Sequence, residues 1–259
     1  MHKWLHYFPI YERHLRPFAG CQVVLLEIGV SHGGSLQVWR DYLGRRERIV
    51  GIDIEPRVVQ LSEPGIDVIV GDQSDPQFLA ELARQYGPFD IVIDDGSHQF
   101  AHQIASMELL WPHVADGGIY LVEDLHTSYF PAYGGRRGSS ASFIAWVAQR
   151  IDDVHAFHSC EAGFEPNDWS RTVGGIQKYD SIAVFDKAVG KAPEHRKTGR
   201  PSFTDVYGSD VEAAIDEQHR QQLASLSSPS ARLRRARRDP AGAARRAVDK
   251  LRRLRPGVR

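Results

Sequence analysis

Short apolar runs, each closed by a glycine or an acid, alternate along the first half of the chain with segments whose apolar residues recur every three or four positions. Val23–Ile28 stops at Gly29 and reads as a buried strand. A Gly-bearing turn, Gly29–Ser35, leads into Leu36, Trp39 and Leu43 at helical spacing. Ile49–Ile54 and Asp67–Val70 read as further strands. Ser74-Asp75-Pro76 pairs a capping side chain with a first-turn proline, ahead of the stripe Phe78, Leu79, Leu82 and Tyr86. Phe89–Asp94 is a fourth strand, and Ile104, Met107 and Leu110 mark the next helix. Asp116-Gly117-Gly118 reads as a turn into a fifth strand, Ile119–Val122. The alternation predicts an α/β fold with a Rossmann-like, doubly wound, mostly parallel sheet.

Beyond Asp124 the texture changes. Thr127–Ser142, rich in Gly, Ser and aromatics, reads as a long loop, with Thr127–Gly138 either a lid over an acceptor or a loose surface loop. Phe143–Ile151 reads as a helix, Val154–His158 and Ser181–Phe185 as two late strands that bring the sheet to seven, and Glu161–Lys178 as a loop. The expected organisation is one domain over residues 1–189, a linker and helix over 190–230, the helix at Val211–Leu226, and a basic tail over 231–259.

Composition adds limits. Across 259 residues, 42% hydrophobic and 25% charged residues exclude wholesale disorder. No apolar run nears the roughly 18 residues of a spanning helix, and the first residues hold no apolar leader stretch, so no signal peptide is expected. Two cysteines, Cys21 and Cys160, exclude a disulfide framework, and a reducing cytoplasmic compartment is expected. The net charge of −1 conceals an asymmetry: eleven Arg and one Lys against two Asp give residues 231–259 a charge of +10, which leaves −11 for the rest. Ala247, Leu251 and Leu254 share a helical face in that tail, which suits peripheral contact with an anionic membrane, at the inner face. A solvated terminus is the competing reading, and the lack of aromatics between the arginines disfavours nucleic acid.

Chemistry concentrates where parallel strands end, the edge at which open sheets bind ligands. Glu27, Gly29, Ser31 and Gly33 surround the first strand end, Asp53 the second, and Asp72 with Gln73 the third. There is no Gly-Lys-Ser/Thr, which argues against a nucleoside triphosphate. An acid at the end of the first strand repels a pyrophosphate but suits a cationic cofactor such as S-adenosylmethionine. Strand four ends in Asp94-Asp95-Gly96-Ser97-His98 and strand five in Glu123-Asp124. Parallel neighbours lie about 5 Å apart, so these acids repel one another unless a cation joins them, and oxygen donors suit Mg²⁺. His98, expected at the start of the following helix, is placed to take a proton from an alcohol beside that ion. His102, four residues on, is expected on the same helical face as a packing or supporting residue. Trp4, Tyr7 and Phe8 either roof the cofactor site or pack an N-terminal helix onto the sheet.

Leu26–Ser35, Gly51–Ile54, Ile93–His98 and Val122–Tyr129 together resemble the metal-dependent class I methyltransferases that modify sugars on macrolides, the mycinamicin-type deoxysugar O-methyltransferases. His6–Glu12 and Tyr179–Phe185 extend the resemblance to roughly residues 3–187. It implies a class I methyltransferase fold, S-adenosylmethionine and Mg²⁺. By match, Asp95, Glu123 and Asp124 become metal ligands and His98 the general base. Asp53 takes the ribose hydroxyls, Asp72 the adenine side, and Asp94 supports the cofactor site. The macrolide enzymes' N-terminal auxiliary domain and the basic tail fall outside the resemblance, which leaves homo-oligomerisation open. The implied activity is O-methylation of a sugar hydroxyl on a glycosylated natural product or glycolipid. A cephalosporin hydroxylase-like group shares the acid cluster, so that reaction, a phenol-modifying one and a non-catalytic cofactor-binding role stand as alternatives.

Overall fold

The computed structural model describes residues 2–44, 48–159 and 164–190, with isolated positions between 193 and 221. The chain divides into two compact units, one of Met1–Phe157 with Glu165–Lys191, the other of His158–Phe164 with Ala192–Arg259. In the second unit Ala213, Asp216, Glu217, Arg220 and Gln221 are helical. The remainder of the expected Val211–Leu226 helix and the whole tail over 231–259 lie outside the described residues.

The first unit contains α1 (Phe8–Leu15), β1 (Val24–Ile28), α2 (Gly34–Leu43), β2 (Arg48–Asp53), β3 (Ile66–Val70), α3 (Pro76–Tyr86), β4 (Phe89–Asp94), α4 (Phe100–Leu110), β5 (Val114–Val122), α5 (Phe143–His155), α6 (Asp168–Thr172), β6 (Val173–Lys178) and β7 (Ala183–Lys187). The strands form one sheet in the order β3-β2-β1-β4-β5-β7-β6, in which β7 alone runs against its neighbours. The chain winds outward from β1 through β2 to β3, then reverses to β4, so the loops leaving β1 and β4 diverge and leave a crevice between them. Alternate strand residues face opposite sides. Leu26, Ile28, Val92 and Tyr120 pack under α3, α4 and α5, while Leu25, Ile91, Ile93 and Leu121 pack under α1 and α2. Among the described residues, no helix is long and apolar enough to cross a membrane.

Local rules hold at the element ends. Asp75 caps α3 by accepting from the backbone N–H groups of Gln77 and Phe78, and Pro76 sits in the first turn. Four expectations fail. Asp116–Gly118 lies inside β5, where Gly117 takes a left-handed φ of 83° and the β4 register shifts, so the glycines form a bulge rather than a turn. Val154–His158 is not a strand: α5 runs to His155 and ends in a 3₁₀ turn, because the buried stripe of Phe143, Trp146, Val147 and Asp153 continues at helical spacing to Phe157. The missing strand lies instead inside the stretch read as a loop. There Gly174-Gly175 makes another register shift in β6, and a Cβ on Gly174 would come within 2.7 Å of the Ala188 Cβ. His98 also precedes α4 rather than starting it, with Gln99 as the flanking residue, so His98 and His102 do not share a helical face.

Gly29 ties the fold to the crevice. Its φ is +89°, and a Cβ there would lie 2.2 Å from the Asp95 carbonyl oxygen. Gly29→Ala is expected to cost upwards of ~2 kcal/mol through strain and collision, measured by urea denaturation. An unchanged midpoint would contradict that close approach.

Candidate functional site

A cavity of about 720 Å³ opens over the carboxyl ends of β1 to β4. Gly29, Ser31, Asp53, Asp72, Gln73, Asp95, His98 and Asp124 reach its wall, whereas Glu27, Gly33, Asp94 and Glu123 stand behind it. Ile54, 69% exposed, adds an apolar face beside Asp53.

Along β1 to β3, and at Asp94 of β4, each acid is held by neighbouring hydrogen-bond donors. Asp53 accepts from the Ser31 N–H at 2.8 Å and the Glu55 N–H at 3.0 Å, which fixes its carboxylate at the turn after β1. Asp72 accepts from the Ser74 N–H and hydroxyl, both at 2.7 Å, and these bonds hold its carboxyl below the usual range. Gly33 takes a φ of 74° at the entry to α2. Glu27 is wholly buried and accepts from Ser35 Oγ at 2.9 Å and Trp39 Nε1 at 3.1 Å. Burial pushes it up to about 7, with Lys3 and the two donors pulling the other way. Asp94, also fully buried, accepts from Ser106 Oγ at 2.6 Å and Gln73 Nε2 at 3.2 Å, and burial raises it to about 6. Gln73 Oε1 in turn accepts from the Ser97 N–H at 2.6 Å, so Asp94 and Gln73 brace the loop leading to His98. His102 Nδ1 lies 3.0 Å from Ser97 Oγ, in the same support.

On the β4–β5 side three carboxylates gather. Ligand-capable atoms of Asp95, His98 and Asp124 lie within 4.8 Å of one another. His98 Nε2 is 3.7 Å from Asp124 Oδ2, and Nδ1 of the same ring is buried without a hydrogen-bond partner. Glu123 turns the other way: Tyr11 OH donates to its Oε1 at 2.8 Å and Lys3 Nζ to its Oε2 at 2.8 Å. Lys3 also reaches Asp95 Oδ2 at 2.6 Å, and Tyr7 OH donates to Asp124 Oδ1 at 2.6 Å. Burial raises both Asp95 and Glu123, and the Lys3 charge opposes that rise. Burial likewise works against the Lys3 ammonium, yet Glu123 and Asp95 outweigh it and hold its pKa above the ordinary lysine value. His98 and Asp124 both adopt left-handed backbone conformations, with φ of 56° and 53°. Thr127, buried beneath them, shares its hydroxyl proton between the His98 carbonyl at 2.9 Å and the Asp124 carbonyl at 2.8 Å.

Lys3, Tyr11 and Thr127 carry no sequence signal of their own. Each acts through long-range packing of the N-terminal helix or the loop after β5. Tyr7 joins the acid cluster, while Trp4 lies edge-on to His126 with ring centroids 6.0 Å apart.

A family model described as "Methyltransferase domain" matches residues 26–125, the stretch from β1 through the loop after β5. Demethylmacrocin O-methyltransferase of Streptomyces fradiae is 40% identical over 201 residues, 72% of this chain and 50% of its own length. Mycinamicin VI 2''-O-methyltransferase of Micromonospora griseorubida is 39% identical over 196 residues, 71% of this chain and 49% of its own. The structure of the MycE methyltransferase of the mycinamycin pathway, in complex with Mg, SAH and mycinamycin VI, superimposes with a TM-score of 0.69 at 36% identity, covering 82% of this chain and 56% of that one. The chain has a class I methyltransferase fold and is similar to O-methyltransferases that act in antibiotic pathways. It spans about half the length of the relatives it matches.

The donors at this site fit a hard divalent ion: a lysine ammonium is already drawn in among carboxylates, and oxygen ligands outnumber nitrogen. The other end of the cavity fits a nucleoside, with the Asp53 carboxylate fixed beside the apolar Ile54 and Asp72 farther along the sheet edge.

The buried Glu27 gives a pH prediction. Its folded value, about 7, lies above the unfolded 4.5, so the stability that its neutral form contributes is complete below 4.5 and is lost as pH rises through 7. Glu27→Gln is therefore expected to flatten the decline in unfolding free energy between about pH 5 and pH 8, removing roughly 3 kcal/mol of it. Parallel curves for the two proteins in denaturant titrations would count against that burial effect.

Proposed function

We propose that the chain is an S-adenosylmethionine-dependent, Mg²⁺-assisted O-methyltransferase acting on a sugar hydroxyl of a glycosylated natural product or glycolipid. The observation that carries the reading is the meeting of Asp95, His98 and Asp124 within 4.8 Å at one end of a cavity whose other end offers Asp53 and Asp72. Relatives named for O-methylation of antibiotic sugars support the reaction class.

Asp95, Asp124 and Glu123 would hold the metal, with Asp53, Asp72 and the Gly29 turn along the nucleoside. When bound, Mg²⁺ supplies positive charge that makes an acceptor hydroxyl more acidic, and S-adenosylmethionine supplies the methyl group. His98 Nε2 takes the hydroxyl proton. Asp124 Oδ2, 3.7 Å away, favours the imidazolium that results. Gln73 and Asp94 keep the backbone before His98 in place, which preserves the approach of the base. Tyr129, Phe130 and Tyr133, each more than a third exposed, follow Asp124 and offer an apolar shelf for the body of an acceptor that carries the sugar. Peripheral membrane contact through the basic tail and self-association rest on sequence alone.

His98→Ala is expected to lower kcat by 10²–10⁴ while binding of S-adenosylmethionine, read by calorimetry, stays near wild type. Retention of more than about a tenth of kcat would refute His98 as the base. Chelation with EDTA is expected to stop turnover on a panel of rhamnosylated and deoxysugar-bearing compounds, and Mg²⁺ to restore it. Mass spectrometry reads the product: a gain of one CH₂ supports methylation, a gain of one oxygen the hydroxylase alternative.

A further inference from the structure

Both oxygens of Glu123 already carry a donor. One of its oxygens accepts from Tyr11 OH at 2.8 Å and the other from Lys3 Nζ at 2.8 Å. The same ammonium lies 2.6 Å from Asp95 Oδ2, so it occupies the point where a cation shared by the two carboxylates would stand. Its side chain is only 4% exposed, which removes most of the solvent that would shield two cations from one another. A divalent ion that bridges Asp95 and Glu123 competes with Lys3 for them.

We propose that Lys3 is a tethered counter-ion of the metal site, which neutralises Asp95 and Glu123 until a divalent ion displaces it. The inference rests on the metal reading above. Charge balance favours exchange over coexistence: the ammonium offsets one carboxylate and can swing to solvent on its flexible stem, whereas the carboxylates are fixed at strand ends. Tyr7 and Tyr11 remain as anchors, since they donate to Asp124 Oδ1 and Glu123 Oε1 and not to the oxygens that Lys3 vacates. Release is therefore confined to the residues around Lys3. Trp4, which is 51% exposed and rests edge-on against His126, moves with it. Metal loading thus alters the rim beside Phe130, the side on which an acceptor would enter.

The test is calorimetric titration of Mn²⁺ into the 259-residue chain and its Lys3→Met variant, without cofactor or acceptor. Displacement predicts that Lys3→Met binds Mn²⁺ at least about tenfold tighter, a gain of about 1.4 kcal/mol. It also predicts that hydrogen exchange at the Tyr7 N–H of the unaltered protein, which donates to the Trp4 carbonyl at 3.0 Å, speeds up when Mn²⁺ is added, a readout that needs no variant and survives misfolding of Lys3→Met. Equal or weaker binding by Lys3→Met, or unchanged or slower exchange at Tyr7, overturns the proposal and leaves the metal site standing. Failure of both proteins to bind Mn²⁺ overturns the metal reading, and the proposal with it.

Discussion

Three carboxylates brought to the ends of two adjacent strands must be matched by positive charge or by donors, and much of this fold is arranged around that requirement. Asp95, Glu123 and Asp124 sit where β4 and β5 finish, and Glu123 is fully buried. The chain answers with its own N-terminus: Lys3 and the hydroxyls of Tyr7 and Tyr11 reach the cluster from the segment leading into α1 and from α1 itself. The position of α1 over the sheet is thus decided twice, by Ile10 and Leu15 in the core and by hydrogen bonds to the acids at its edge. Hydrophobic burial fixes the face, and electrostatics fixes how far along the sheet the helix lies.

The sheet was legible because parallel strands buried on both faces leave continuous apolar runs, and β4 coincides with the expected Phe89–Asp94. Legibility fell where glycines and antiparallel pairing enter. Gly117 and Gly174 look like turn residues, but each serves a bulge within a strand, and only the paired neighbour shows that. Val154–His158 misleads in the opposite direction. Its β-branched and aromatic residues suit a strand, yet Arg150 lies over the Trp146 and Trp169 rings and pairs with Asp153, which extends the helix.

Strand-end acids were legible as a group because the topology of a doubly wound sheet sends them all to one edge. Their individual surroundings were not. Whether a carboxylate faces the cavity or lies behind it depends on side-chain packing: Asp53 and Asp72 reach the wall, while Glu27 turns toward Ser35 and Trp39, and Asp94 toward Ser106. Lys3 was invisible for the same reason. A single lysine says nothing of its partners until the intervening residues have folded, and the separation of 92 positions between Lys3 and Asp95 is closed only by the completed sheet.

The Thr127 hydroxyl has a wider meaning than its size suggests. It bridges the carbonyls of two residues whose backbones are both held in an uncommon conformation, and the Asp124 carbonyl already receives the Thr127 N–H at 3.0 Å. One proton therefore joins the loop carrying the imidazole to the loop carrying the acid. The two loops are thus tied at one point, and in the proposed reaction a molecule that displaces the imidazole also strains the tie to the neighbouring carboxylate.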